Sequence, residues 1–182
     1  ITRKELNWEH APFEIPEDIY DAWNAKDEGA KKEKVWEDLL KTYRQKYPEE
    51  SDELERRFNS EMTHEFNERF DDFLRDCLLQ EDPVATRKAS QVCLDHFCAD
   101  LPELIGGSAD LTGSNNTFSK HNTEFTPENP GGSHIYYGVR EFGMVTIMNG
   151  MSLHGGIRPY GGTFLVFMDY ARNAVRLSAM MS

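Results

Sequence analysis

Glu141 heads an almost uncharged run, in "YYGVREFGMVTIMNGMSLHGG" from residue 136 to 156. A carboxylate placed there has two readings. It can serve a helix start, where free backbone N–H groups and the positive end of the dipole favour negative charge. It can also mark a functional site, where carboxylates with perturbed surroundings tend to gather. Asp110, at the end of "ELIGGSADL", poses a similar choice. It is either a turn or cap aspartate or a site residue at the carboxyl end of a strand. Arg87, next to Lys88, can bind a phosphate or simply decorate a helix surface. Phe164, Phe167 and Tyr170 follow "HGGIRPYGG" at three-residue steps. That spacing suits a helix core, and it also suits flat faces on which a planar ring could stack.

Several other chemistries are disfavoured. Neither GxGxxG nor GxxxxGK[ST] occurs, so the glycine pairs do not form a nucleotide loop of those types. His154 has no visible Ser or Cys nucleophile partner, and a triad is unsupported. Cys93, Cys98 and the intervening His96 match neither a CxxC pair nor a tetrahedral zinc cage, so no metal ligand is assigned in this chain. With Cys77 the thiols make an odd set, for which a reducing, cytoplasmic setting is the default. A net charge of −12 argues against nucleic acid and against an anionic membrane. No apolar stretch approaches the roughly 20 residues of a spanning helix, and no signal peptide is visible.

The elements that must position these residues fall into two parts. Residues 1 to 80 contain one glycine, Gly29, and 22 Asp/Glu against 13 Lys/Arg, while twelve of the 13 glycines follow residue 100. The first part, 1–82, reads as short charged helices. "PEDIYDAW", "KVWEDLLKTYRQKYP" with Pro48 as its stop, "DELERRFNSEM" and "EFNERFDDFLRDCLL" each carry helical spacing. Phe66, Phe70 and Phe73 form a stripe best read as packing. From residue 83 to 182 the order changes to α/β, a parallel sheet flanked by helices. "PVATRKASQVCLDHFCADLP" predicts a helix and "ELIGGSADL" a strand. The polar stretch 112–133 is a functional loop or a disordered one. "TFLVFMDYARNAVRLSAMM" starts as strand or loop and becomes helical. Both ends of the chain look cut from something longer, the last inside an amphipathic helix.

Motifs in this order carry a resemblance that spans nearly the whole chain. "GGSADLTGSNNT", "YGVREFGM", "NGMSLHGG" and "FLVFMDYARNAVRLSAMM" resemble the central region of the transketolase family, and "NWEHAPFEIPEDIYDAW" and "TRKAS" resemble the segment leading into it. The resemblance implies that residues 1–82 are a helical interdomain linker. Residues 83–182 are then the first part of the pyrimidine-binding domain, a partial thiamine-diphosphate-binding fold. It implies thiamine diphosphate as cofactor, with Mg²⁺ held by a domain outside this chain. Glu141 matches the catalytic glutamate that bonds the cofactor's aminopyrimidine ring nitrogen. Phe164, Phe167 and Tyr170 match the aromatic pocket around that ring, Asp110 and Leu111 match residues near the thiazolium, and Arg87 and Ser114 match the pair that holds the sugar phosphate. The chain reads "SADLTGSN" where family members often read "SADLAPSN", a change that leaves Asp110 and Ser114 in place.

Function follows as an expectation. The parent protein would move a two-carbon ketol unit between ketose and aldose phosphates, in the pentose phosphate pathway, as a homodimer. Dihydroxyacetone synthase is the nearest rival reading. As an isolated polypeptide, the 182 residues would be an inactive fragment or a dimerisation module.

Overall fold

The charged, glycine-poor first part forms helices, as its periodicity predicts. The structure, a computed structural model, describes residues 1–181, so Ser182, the last residue of the expected second segment, lies outside them. In chain order the first part contains α1 (Thr2–Glu5), α2 (Glu17–Trp23), α3 (Lys26–Lys46), α4 (Pro48–Phe58) and α5 (His64–Leu78). Asp27 and Glu28 open α3 and Arg44 and Lys46 close it, which complements its dipole. Pro48 does more than stop a helix: it is the first residue of α4, where a missing N–H costs nothing. The Thr63 hydroxyl caps α5 by accepting from the Phe66 N–H at 3.0 Å.

The chain divides into two compact units, Ile1–Ser51 and Asp52–Ser182, with the boundary inside α4. The first unit is helical. In the second, α5 is followed by α6 (Thr86–Asp100), β1 (Leu104–Ser108), α7 (Thr112–Asn115), β2 (His134–Tyr136), α8 (Glu141–His154), β3 (Arg158–Gly162), a 3₁₀ turn at Leu165–Phe167 and α9 (Met168–Met181). The Phe66, Phe70 and Phe73 stripe is packing: all three rings lie 5.7 to 6.1 Å from Phe97 of α6.

The sheet is parallel with order β2-β1-β3, and Gly106 of the central strand pairs with His134 on one side and Tyr160 on the other. Two of its strands differ from the sequence expectation. β2 has only three residues and lies in a polar context, so no run announced it. β3 is "RPYGG", just before the apolar run read as strand or loop; that run takes the loop alternative and turns through the 3₁₀ segment into α9. The reason is close approach. A Cβ on Gly161 would lie 2.5 Å from the Met148 sulfur, so the small residue lets α8 rest on the sheet.

The core gathers Ala109, Tyr137, Met144, Val145, Ala171 and Ala174. Ala171 and Ala174, both fully buried, let α9 approach α8, where the Asn149 side-chain amide donates to the Ala174 carbonyl at 3.0 Å. The polar stretch 112–133 is ordered rather than loose. Asn122 fixes it by accepting from the Ser119 N–H at 2.9 Å and donating to the Ser133 hydroxyl at 2.7 Å.

Candidate active site

The carboxyl end of β1 and the start of α8 meet at a cavity of about 610 Å³. Asp110, Leu111, Glu141, Phe142, Phe167 and Tyr170 border it. Local sequence explains how they converge. Ala109, buried in the core, pins the chain just past β1. Asp110 then adopts φ +61°, a left-handed conformation that Asp tolerates better than most side chains, and the chain turns so that Leu111 precedes α7. On the neighbouring strand the Tyr137 N–H donates to the Ser108 carbonyl at 3.2 Å, which brings the turn before α8 to the same end of the sheet. Gly138, at φ +68°, makes that turn.

Glu141 is the first residue of α8 and is only 8% exposed. Burying a carboxylate is costly, and the free N–H groups and dipole of the helix start offset part of that cost. Among the described residues its carboxylate makes no hydrogen bond within the chain. The helix-start reading thus holds, and the same carboxylate borders the cavity. Arg140, which also lines the cavity, holds the turn by donating to the Tyr137 carbonyl at 3.0 Å.

Three aromatic rings form a ladder. Phe164 and Phe167 stack at 6.2 Å with planes 23° apart, and Phe167 and Tyr170 at 6.3 Å and 25°. Phe167 and Tyr170 border the Glu141 cavity, whereas Phe164 borders a second cleft of about 620 Å³ that also includes Arg87. Arg87 donates to the Ser114 carbonyl at 3.3 Å, so the two residues paired by the sequence reading are adjacent. Thus the structure brings together Asp110, Leu111, Glu141, Phe167 and Tyr170 in one cavity, and places Arg87, Ser114 and Phe164 about the other. Thr86, Ser90, Asn115 and Thr163, which also line that cleft, went unmarked in the sequence because isolated hydroxyl and amide residues carry no spacing signal.

The remaining polar candidates are taken up in packing. His154 lies 6.1 Å from Phe58 and bonds its own neighbour, Gly155. His96 stacks on Phe73 at 4.2 Å. Burial pushes the Cys93 and Cys98 thiols up, which makes them poor thiolates.

Comparison with known proteins decides the family. The profile described as "Transketolase, pyrimidine binding domain" matches residues 82–182, more than half of the chain, and that described as "Transketolase, thiamine diphosphate binding domain" matches residues 1–63. The chain belongs to the transketolase family. Transketolase 2 of Vibrio parahaemolyticus is 49% identical over 99% of this chain, and transketolase 1 of Escherichia coli 46% identical over 100%. This chain spans 27% of each of those relatives, about a quarter of their length. Among solved structures, the Pichia stipitis transketolase complexed with sedoheptulose-7-phosphate superposes with a TM-score of 0.76 at 38% identity, covering 96% of this chain and 27% of that one. The transketolase of Leishmania mexicana gives 0.76 at 34% identity, covering 92% and 24%. The parallel sheet and its helices are accordingly part of the thiamine-diphosphate-binding fold of transketolases.

The cavity fits one half of that cofactor. It offers an apolar wall, stacked aromatic faces and one buried carboxylate free to bond a ring nitrogen.

Proposed function

We propose that this chain is the central part of a transketolase that transfers a two-carbon ketol unit from a ketose phosphate to an aldose phosphate. In this reading residues 83–182 begin the pyrimidine-binding domain, and residues 1–82 lead into it from the domain before, whose family match extends over residues 1–63. The observation that carries it is Glu141, buried at the head of α8 and bordering the same cavity as Asp110, Leu111, Phe167 and Tyr170.

Each residue then has a task. Glu141 would share a proton with the pyrimidine ring nitrogen of thiamine diphosphate, from a carboxyl that is itself only 8% exposed. Phe167 and Tyr170 would orient the ring by stacking, with Phe164 stacked on Phe167 from the side of the other cleft, and Asp110 and Leu111 would border the thiazolium side. The bound cofactor supplies an electron sink that lets a carbon–carbon bond beside a carbonyl break. Arg87 and Ser114 would hold the sugar phosphate, Arg87 through a fork of N–H donors matched to phosphate oxygens.

Mg²⁺ would be held with the diphosphate by residues outside this chain. A homodimer would complete the cofactor site across its subunit interface. The free thiols of Cys77, Cys93 and Cys98 suit a cytoplasmic enzyme of the pentose phosphate pathway. No helix among the described residues is long and apolar enough to cross a membrane.

The test is turnover by the full-length protein that contains this chain. With thiamine diphosphate and Mg²⁺ it should transfer a ketol unit from a ketose phosphate to ribose 5-phosphate. Failure with ribose 5-phosphate but turnover with formaldehyde would make it a dihydroxyacetone synthase instead. Failure with both acceptors would overturn the reading.

A further inference from the structure

We propose that Asn115 is a positioning residue that couples the Glu141 cavity to the Arg87 cleft. The inference rests on the function proposed above, but its geometry is independent of it. Asn115 is 8% exposed and spans a buried hydrogen-bond network at the carboxyl end of the sheet. Its Nδ2 donates to Ser108 Oγ at 2.8 Å, and its Oδ1 accepts from Thr117 Oγ1 at 3.0 Å. Ser108, fully buried at the end of β1, donates its one proton to the Gly162 carbonyl at the end of β3, at 2.9 Å. The Ser108 oxygen also accepts from the Leu111 N–H at 3.2 Å. One donated and two accepted bonds saturate a hydroxyl, so the network has one self-consistent arrangement.

That network holds a segment which would not hold itself. Asp110 and Asn116 bracket residues 111–115, and both are left-handed, at φ +61° and +57°. Asp and Asn tolerate this conformation better than most residues, but α7 is a single turn, too short to hold the geometry alone. Conformations of this kind persist only where the surroundings over-determine them. Here the surroundings are tight: a Cβ on Gly162 would lie 3.1 Å from Asn115 Nδ2 and 2.4 Å from Thr117 Cγ2. The Tyr160 hydroxyl adds a bond to the Thr117 carbonyl at 3.0 Å.

The segment has two working ends. Its start, Asp110 and Leu111, borders the Glu141 cavity, and Ser114 presents its carbonyl to Arg87 beside the other cleft. Asn115 sits between them and also lines the cleft. A change at Asn115 or Ser108 therefore moves both ends together, although neither residue is assigned a contact with cofactor or sugar in the proposed site.

The experiment is a double-mutant cycle in the full-length protein with Asn115→Ala, Ser108→Ala and both, alongside Phe97→Leu as a stability control in the α5–α6 aromatic cluster. We expect each single change to raise both the KM for ketose phosphate and the Kd for thiamine diphosphate about tenfold, the size of one lost buried hydrogen bond. The double variant should be hardly worse than either, because both remove the same link. Amide exchange at Leu111 should accelerate about tenfold by the same measure, and Phe97→Leu should lower Tm without any of these effects. If Asn115→Ala lowers Tm like Phe97→Leu but leaves KM, Kd and exchange unchanged, its role is only structural and the proposal is overturned. If Asn115→Ala fails to fold, Ser108→Ala decides by the same readouts. If the unmutated protein neither binds cofactor nor turns over, the proposed function fails, while unchanged exchange in either variant would still overturn this inference separately.

Discussion

Phe167 and Tyr170 stack at 6.3 Å with ring planes 25° apart, and the cavity they border is the one that contains Glu141. Tyr170 is 68% exposed, so its ring contributes little to the core. Removing it should therefore affect ligand stacking more than folding. Tyr170→Ala in the full-length protein should weaken thiamine diphosphate binding by about tenfold, in line with a lost aromatic contact, and leave Tm nearly unchanged. Calorimetric titration measures the first and thermal unfolding the second. An unchanged Kd would remove the aromatic ladder from the site.

Glu141 allows a sharper test because its shape can be kept while its proton chemistry is removed. Glu141→Gln preserves size at the start of α8 and loses only a favourable charge there, about 0.3–1 kcal/mol of helix stability. Turnover should fall by about 10² to 10⁴, the range for a lost acid–base group. Steady-state rates of the full-length variant, with circular dichroism as a control for folding, check this. Retention of more than about a tenth of the rate would be incompatible with an acid–base role.

Arg87 should separate binding from chemistry. Its guanidinium lies at the cleft and bonds the Ser114 carbonyl at 3.3 Å, and it does not line the Glu141 cavity. Arg87→Leu should raise KM for a phosphorylated ketose by about tenfold or more and leave kcat within about twofold, the pattern of lost uniform binding. An unphosphorylated ketose should show no such penalty. Equal losses on both substrates would mean that Arg87 does not read phosphate.

Apolar surface beside the site predicts how the 182-residue chain behaves by itself. Val139, Leu165 and Val166 are 76%, 89% and 66% exposed. Exposed apolar side chains of this size favour association where they meet in a patch. The purified chain should sediment with a concentration-dependent mass and show no ketol transfer, because the residues proposed to hold the diphosphate and Mg²⁺ lie outside it. A clean monomer at high concentration would contradict the first expectation, and measurable turnover the second.

Legibility in the sequence followed the physics of each signal. Helices α2, α3 and α5 were readable because apolar residues recur at helical spacing; the Phe66, Phe70 and Phe73 stripe docks on Phe97, whereas α2 and α3 bury no residue. β1 was readable from its short apolar run. β3 was not, because "RPYGG" is chosen for close packing under Met144 and Met148 and carries no alternation. In the site, Glu141 and the aromatic ladder stood out as types in unusual places. Asn115, Ser108 and Thr117 did not, since their meaning comes from contacts between residues up to 54 positions apart, such as Ser108 with Gly162. Order in the polar stretch 112–133 was hidden for the same reason, as Asn122 and Tyr160 supply it from side chains.

Acid should expose a second network, far in sequence from the site. Glu53 accepts from Arg56 at 2.7 and 2.8 Å and from Arg57 at 2.6 Å, and Arg56 passes on to Glu103 at 2.9 Å. Arg158 of β3 approaches the same Glu103 oxygen at 3.8 Å, so α4 is tied to the strands through a carboxylate only 2% exposed. The hydrogen bond from Arg56, opposed by burial and reinforced by Arg57, holds Glu53 at about 2 against its ordinary 4.5. A carboxyl lowered by folding stabilises the folded state fully above its unfolded value, and that contribution fades as pH falls towards the folded value. The stability difference between the unmutated chain and Glu53→Gln should thus be steady above pH 4.5 and shrink between 4.5 and about 2. It should also shrink with added salt, because Glu53 is 37% exposed. Glu103→Ala should cost about 1.5–3 kcal/mol at neutral pH, since it removes one charge-assisted bond from a nearly buried Arg56 that keeps its bonds to Glu53. Urea unfolding across the acid range measures both, and a pH-independent Glu53→Gln difference would show that the Arg56 bond does not hold Glu53 in its charged form.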